Sequence, residues 1–316
     1  MSGAPILIAT RGSALALAQA NLVLASCREN FPHLLFALKT IVTTGDKMQS
    51  ASLSRIDASL PRGLFTKELE SALLEKQADV AVHSLKDLPT ELPDGLKLGG
   101  VAGKREDARD VLVYRDAIRA TTRLADFPPA LTLATSSTRR TAQVLAQRPD
   151  FKVVEIRGNV PTRLKKIASQ SEIDMTILAA AGLSRLHFQI TPAGRLEGDG
   201  VPGGLATTIL DTDEMLPCVG QGALGLEIRE GDERMATICQ RLNDEETWQC
   251  VTAERAFLRA MGGGCQTPIG ACASISGEEI HLRAVSFLTS QARRAEARAP
   301  RTDAIALGER IAAQLI

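Results

Sequence analysis

Short apolar runs alternate with longer helix-like runs along most of the chain, and that alternation limits the folds open to it more than any other feature. "ILIAT" predicts a strand, Ser13 to Glu29 a helix, "LFALKTIVTT" a strand and "FTKELESALLEKQ" a helix with Thr66 as its N-cap, followed by the strand "DVAVHS". After "KREDARD" the pattern resumes, with strands "DVLVY", "LTLAT", "FKVVEI" and "DMTILAA" and helices "STRRTAQVLAQR" and "VPTRLKKIASQ". Such βαβ alternation implies mostly parallel sheets with helices on their faces. "GRLEGDGVPGG" reads as a surface loop, and "ALGLEI" as a strand whose sheet the sequence does not assign. From about Glu245 the style changes to a helix, a glycine-rich loop, the strands "ACASI" and "IHLRAVSFL" and a last helix, which is a small α+β domain. The polar, aperiodic residues 46–63 between two confident elements are expected to form a lid or a plain loop.

The 316 residues exceed one ordinary core, so about two or three domains are expected. Lys+Arg and Asp+Glu balance at 37 each, which gives no basic field for nucleic acid or an acidic membrane surface. Aromatics make up 3% of the chain, too few for a base-stacking platform. No Cys-x-x-Cys pair and no zinc spacing of histidines occurs, so no metal is expected. "SALALAQANLVLAS" is interrupted by Gln19 and Asn21 and reads as an amphipathic helix rather than a signal peptide. No run reaches membrane-spanning length. The expectation is a cytoplasmic monomer with reduced thiols, acting on a small molecule, without nucleic-acid or membrane partners.

Arginine stands where strands end. Arg11 follows the first strand in "IATRGS", Arg139 and Arg140 follow "LTLATSST", and Arg157 and Arg163 bracket the helix start in "EIRGNVPTR". Ligands of open α/β sheets sit beyond the carboxyl ends of strands. Hydroxyls and free N–H groups at helix starts, here Ser136 and Ser137, make anion sites. Guanidinium groups bind carboxylate or phosphate in bidentate fashion, and no phosphate-binding glycine loop is present. The pattern points to a ligand with many anionic groups. "VAVHSLKDLP" places Lys86 and Asp87 at another strand end, where Asp87 can do acid–base work or merely cap a turn; His83 reads as structural. In "RAMGGGCQTPIG", Cys265 sits in a tight loop, as an accessible thiol or as a small buried residue.

"ATRGSALALAQA", "GLFTKELE", "VAVHSLKDLPT", "ATSSTRR", "RGNVPTRL", "AAGLSRL", "VGQGALGLEIR", "TAERAFL" and "GGCQTPIG" stand in this order. Together they resemble the hydroxymethylbilane synthase, or porphobilinogen deaminase, family from Ile6 to about Arg283. The resemblance implies two periplasmic-binding-protein-like α/β domains with a hinge and a small C-terminal α+β domain. The domains would cover 1–103 with 223–242, then 104–222, then 243–316. It implies a transferase of heme and tetrapyrrole biosynthesis that joins four porphobilinogen molecules into a linear tetrapyrrole with loss of ammonia. Growth would start on a dipyrromethane cofactor held as a thioether by Cys265. By the same resemblance Asp87 is the catalytic carboxylate, and Lys86, Ser136, Ser137, Arg139, Arg140 and Arg157 hold the cofactor. Arg11, Ser13, Arg163 and Arg185 hold substrate carboxylates.

Two departures stand out. "DASLPRGLF" replaces the family's lysine- and glycine-rich lead-in, leaving Arg62 behind Pro61, and Gly262 stands where the family has glutamate. Two rival readings are a non-catalytic binding protein for an anionic ligand on the same fold, and a transferase that uses Cys265 as a thiolate nucleophile.

Overall fold

A computed structural model of the chain describes residues 4–44, 66–118, 123–264, 266–289 and 291–316. The expected lid over 46–63, with Pro61 and Arg62, and Cys265 lie outside the described residues.

The chain opens with β1 (Ile6–Arg11), α1 (Ala14–Asn30), β2 (Phe36–Ile41), α2 (Lys67–Leu74), β3 (Val80–Ser84) and β4 (Leu96–Val101). It continues through β5 (Asp110–Arg115), β6 (Thr132–Ala134), α3 (Thr138–Gln147), β7 (Lys152–Val154), α4 (Val160–Ser169), β8 (Met175–Ala179) and the short α5 (Ala180–Arg185). A two-stranded ribbon, β9 (Gln189–Ile190) with β10 (Leu196–Glu197), leads to β11 (Leu205–Ile209). Then come β12 (Leu224–Arg229), α6 (Glu233–Leu242) and α7 (Glu245–Ala260). The last part is β13 (Ile269–Ser276), β14 (Glu279–Ser286), β15 (Arg293–Pro300) and α8 (Ala304–Leu315). Two units result: Met1–Arg105 with Ala223–Gln249, and Glu106–Gly222 with Cys250–Ile316.

In the first unit the strand order is β2-β1-β3-β12-β4. β1 pairs in parallel with β2 and β3, whereas β12 runs antiparallel to β3 and β4. The late segment "ALGLEI" thus fills the place between β3 and β4. The other large sheet is ordered β11-β5-β8-β6-β7 and has the same mixture, with β6 parallel to β7 and β8 and with β5 antiparallel to β8 and β11. The mostly parallel sheets expected from the alternation are therefore mixed. A returning strand changes direction without changing its apolar pattern, so its sense is invisible in sequence. Burial on both faces explains why "DVLVY" reads as one continuous apolar run. Val111 and Val113 enter one cluster with Leu164 and Leu205, while Leu112 and Tyr114 enter another with Val144 and Met215.

The C-terminal part of the second unit is an antiparallel meander, β13-β14-β15, with α8 packed on one face. β15 turns Ala295, Ala297 and Ala299 inward and charged residues outward. Alanine is too weak a hydrophobic signal to mark a strand, so the sequence pattern does not reveal this one. α7 and α8 approach closely at Gly308, where a Cβ would stand 2.4 Å from the Ala253 carbonyl oxygen and 2.7 Å from the Phe257 nitrogen. Gly308→Ala is expected to cost about 1–3 kcal/mol through overpacking, read as a lower thermal midpoint. An unchanged midpoint would show that the helices separate at no cost.

Candidate active site

In the first unit, β1 ends on Arg11 and the chain turns into α1, whose N-cap Ser13 accepts a hydrogen bond from the Ala16 amide at 3.3 Å. β3 ends at Ser84 and gives way to a single 3-10 turn, Leu85–Asp87. Leu85 is buried and its N–H donates to Ala223 O at 3.0 Å, which fixes the turn to the chain entering β12. Lys86 is half-buried and Asp87 exposed. Buried Gln19 of α1 donates Nε2–H to Ser84 Oγ at 2.8 Å and pins the end of β3 from the side. Arg11, Ser13, Gln19, Ser84 and Asp87 line one open pocket.

Thr66 and His83 belong to the same pocket wall. His83 Nε2 lies 2.9 Å from Glu227 Oε2, and both side chains are buried. The pair is diagonal across two antiparallel strands, since Gly225 opposes His83 and Glu227 opposes Ala81. Glu70 of α2 is close by. Burial raises its carboxyl above the ordinary range, and the like charge of Glu227 adds to the rise.

In the second unit, α3 starts at the end of β6 with Ser137 as N-cap, its Oγ accepting from the Arg140 amide at 3.4 Å. Exposed Ser136 donates its hydroxyl to Ile156 O at 2.6 Å. Thr138 donates Oγ1–H to the carbonyl of Gln266, the sequence neighbour of Cys265, at 2.6 Å. The glycine loop is thereby tied to the start of α3. The loop is itself closed by Gly264 N–H donating to Thr267 Oγ1 at 2.7 Å. Gly262 sits just past α7 at φ +63°, a left-handed conformation that favours glycine and ends the helix. The departure to glycine at this position therefore has a backbone reason.

Arg139 and Arg140 are buried on α3 around Asp110, the wholly buried first residue of β5. Arg140 Nη2 donates to Asp110 Oδ1 at 2.7 Å and its Nη1 to Ile177 O at 2.7 Å. Arg139 Nη2 makes an ionic contact of 2.8 Å with Asp110 Oδ2, and its Nη1 donates to Leu216 O at 2.7 Å. Gln221 also donates to Asp110 Oδ1, at 2.9 Å. Burial pushes the Asp110 carboxyl up, but Arg139, Arg140 and the two hydrogen bonds outweigh it and hold the group well below the usual carboxylate range. Arg140 Nε is buried with no partner among the described residues.

Asn159 caps α4, and its Oδ1 accepts from the Thr162 amide at 3.0 Å. Arg157 is exposed beside Glu155 at 2.5 Å, and Arg163 donates Nε–H back to Gly158 O at 2.8 Å. Arg185 is buried, donating to Glu106 Oε1 and to Gly222 O at 2.6 Å each. Among the described residues no cluster of three or more His, Cys, Asp or Glu is placed to hold a metal ion, and no helix is long and apolar enough to cross a membrane.

Three participants do not stand out in the sequence as site residues. Gln19 shows there only as an interruption of an apolar run, Glu227 as one charge in an otherwise apolar strand, and Asp110 as the edge of one. A lone polar residue inside an apolar run is the signal that Gln19 and Glu227 share.

Strand-end cations and hydroxyls mark both α/β units, and the first unit also carries one exposed carboxylate in an open pocket. The family model "Porphobilinogen deaminase, dipyromethane cofactor binding domain" matches residues 6–237, and "Porphobilinogen deaminase, C-terminal domain" matches 248–316. The porphobilinogen deaminase of Thermus thermophilus is 45% identical over 272 residues, covering 85% of this chain and 80% of that protein. That of Alkaliphilus metalliredigens is 43% identical over 277 residues, with coverages of 88% and 80%. That of Bacillus subtilis is 40% identical over 274 residues, with coverages of 87% and 80%. A solved structure, the BenM effector binding domain with benzoate, is similar at a TM-score of 0.43 and 16% identity over 75% of this chain and 89% of that one, too distant to carry an argument. The chain belongs to the porphobilinogen deaminase family. It is thus a transferase of tetrapyrrole biosynthesis with a dipyrromethane cofactor.

Proposed function

We propose that the chain condenses porphobilinogen stepwise through Asp87, with the dipyrromethane cofactor held by Cys265. The observation that carries this reading is the exposed Asp87 carboxylate in one pocket with the Arg11 guanidinium and the Ser13 hydroxyl. Porphobilinogen carries an acetate, a propionate and an aminomethyl group. Arg11 and Ser13 are suited to its carboxylates, and Asp87 to the amine. Asp87 gives a proton to the departing amine and, once anionic, stabilises the cationic azafulvene left on the substrate. Lys86, beside it in the same turn, adds a further cation for carboxylates.

The residues of the second unit fit a polycarboxylate cofactor. The start of α3 offers Ser136 and Ser137, Arg140 Nε is a buried donor lacking a partner among the described residues, and the start of α4 adds Arg157 and Arg163. Arg139 and Arg140 are held by Asp110, so they would meet the cofactor as pre-oriented charges. Arg185 would act through the groups it braces at Glu106 and Gly222. When bound, the cofactor supplies the pyrrole α-carbon on which growth begins. Thr138, by holding Gln266, supports the loop that carries the attachment. A hinge between the α/β domains and boundaries near 103, 222 and 242 belong to the same reading. So does a cytoplasmic monomer without nucleic-acid or membrane partners, which the charge balance supports.

The test is the mass of the denatured chain and its action on porphobilinogen. The purified protein, produced where porphobilinogen is available, should exceed its sequence mass by two linked pyrroles and release ammonia from porphobilinogen. Cys265→Ala should abolish both. An unmodified wild-type chain would count against Cys265 as the anchor, and a modified chain that releases no ammonia against the catalytic reading.

A further inference from the structure

Beneath the Asp87 pocket lies a buried ionisable group that the reaction so far leaves without a task. His83 is on the pocket wall, its Nε2 lies 2.9 Å from Glu227 Oε2, and Glu227 is 0% exposed with Oε1 lacking any partner among the described residues. A buried pair of this kind is a poor device for stability. Desolvation offsets most of its attraction, and apolar residues of similar volume often serve as well. Packing therefore does not explain why a strand of the central sheet carries Glu227 directly behind a pocket residue.

The chemistry supplies an explanation. A carboxylate can only accept, so Nε2 carries the ring hydrogen and Nδ1 remains the acceptor. A neutral imidazole backed by a carboxylate is arranged as a general base, because the carboxylate fixes the tautomer and stabilises the imidazolium that forms on proton uptake. Burial keeps a proton on Glu70 to higher pH than an ordinary carboxyl, which lessens its repulsion of Glu227.

We infer that His83, supported by Glu227, is the base that takes the proton released as each new carbon–carbon bond closes. The inference rests on the reading of Asp87 as the acid that expels the amine. Asp87 gives its proton to the amine, and ammonia leaves with the C–N electron pair. The ring electrons of the acceptor pyrrole form the bond from its α-carbon to the exposed methylene carbon. The α C–H bond then breaks, its electron pair returns to the ring, and the proton passes to His83 Nδ1. From there it returns to the Asp87 carboxylate, and both groups are reset. Asp87 and His83 line the same pocket, so the return needs no external acid. His83 is then a catalytic residue and Glu227 a positioning residue.

The experiment uses the cofactor-loaded full chain as wild type, His83→Gln and Glu227→Gln, with porphobilinogen carrying hydrogen or deuterium at its free α-carbon. His83→Gln should lower kcat by roughly 100-fold with little change in KM, as for loss of a general base. It should also reveal a primary isotope effect larger than that of the wild type, since α-proton loss now limits turnover. Glu227→Gln should move kcat and the isotope effect in the same direction by less. In the unloaded Cys265→Ala background, the ring-nitrogen resonances of His83 should report hydrogen on Nε2, and Glu227→Gln should weaken that preference. Normal kcat in His83→Gln would assign both proton transfers to Asp87. A lower kcat without the isotope effect would make the pair structural, and unchanged His83 resonances in Glu227→Gln would remove Glu227 from the scheme; each of these overturns the inference. If His83→Gln melts early, the same readings on Glu227→Gln decide. A wild-type chain that releases no ammonia would instead overturn the assignment of Asp87.

Discussion

Asp87→Asn is expected to lower turnover by roughly 100-fold or more, as for loss of a general acid and of a charge stabiliser together. The substitution keeps size and shape. Asp87 is exposed in a turn held by the buried Leu85 side chain and by the Leu85–Ala223 hydrogen bond, neither of which involves its carboxyl. The thermal midpoint should therefore stay near that of the wild type. The amide can neither protonate the departing amine nor balance a cation, so ammonia release should fail while carboxylate binding through Arg11 and Ser13 persists. Porphobilinogen affinity measured by calorimetry should then change far less than kcat. Near-normal ammonia release would remove Asp87 as the catalytic residue. Lost binding with an unchanged chemical step would turn it into an organiser of the pocket.

Much of this site is legible in the amino-acid sequence, for a physical reason. Asp87, Arg11 and Ser13 follow strongly apolar strands, and strand ends are where open α/β sheets expose side chains to ligands. "VAVHS" and "DVLVY" are legible because both faces of their sheets are covered, so nearly every residue must be apolar. What the sequence hides depends on contacts between distant parts of the chain. The place of β12 between β3 and β4 is a pairing across more than a hundred residues, which no local pattern encodes. His83 reads as structural in sequence because its carboxylate partner arrives with that same distant strand. Arg139 and Arg140 read only as anion binders, since nothing local shows Asp110 between them. Cys265 stands out by its glycine loop, while the tie from Thr138 to Gln266 appears only once α3 and that loop are placed together.

The buried charge at Asp110 sets the other large effect. Asp110→Asn should destabilise the protein by about 3–5 kcal/mol, the usual cost of removing one partner from a buried ion pair. The amide keeps the volume and still accepts from Gln221, but Arg139 and Arg140 are left as two like charges in a buried setting. Among the described residues neither has another acidic contact, and Arg140 already has one donor without a partner. Urea unfolding should show a lower midpoint, with the slope kept if unfolding stays two-state. The dependence on pH gives a second, signed reading. Asp110 titrates below its unfolded value of about 3.9, so its contribution is fully present above that pH and is lost as pH falls through the folded value. Wild-type stability should therefore decline on acidification below about pH 4 more steeply than that of Asp110→Asn, because the variant has lost the titrating group. Parallel curves for the two proteins, or an unchanged midpoint at neutral pH, would mean that the arginines find other compensation. On the role proposed for Arg139 and Arg140, the same substitution also affects cofactor uptake. Guanidinium groups released from Asp110 lose their fixed aim, so the variant, assayed where it is still folded, should take up the two-pyrrole mass more slowly than the wild type. Equal loading rates would show that Asp110 stabilises the fold without orienting Arg139 and Arg140 for the ligand.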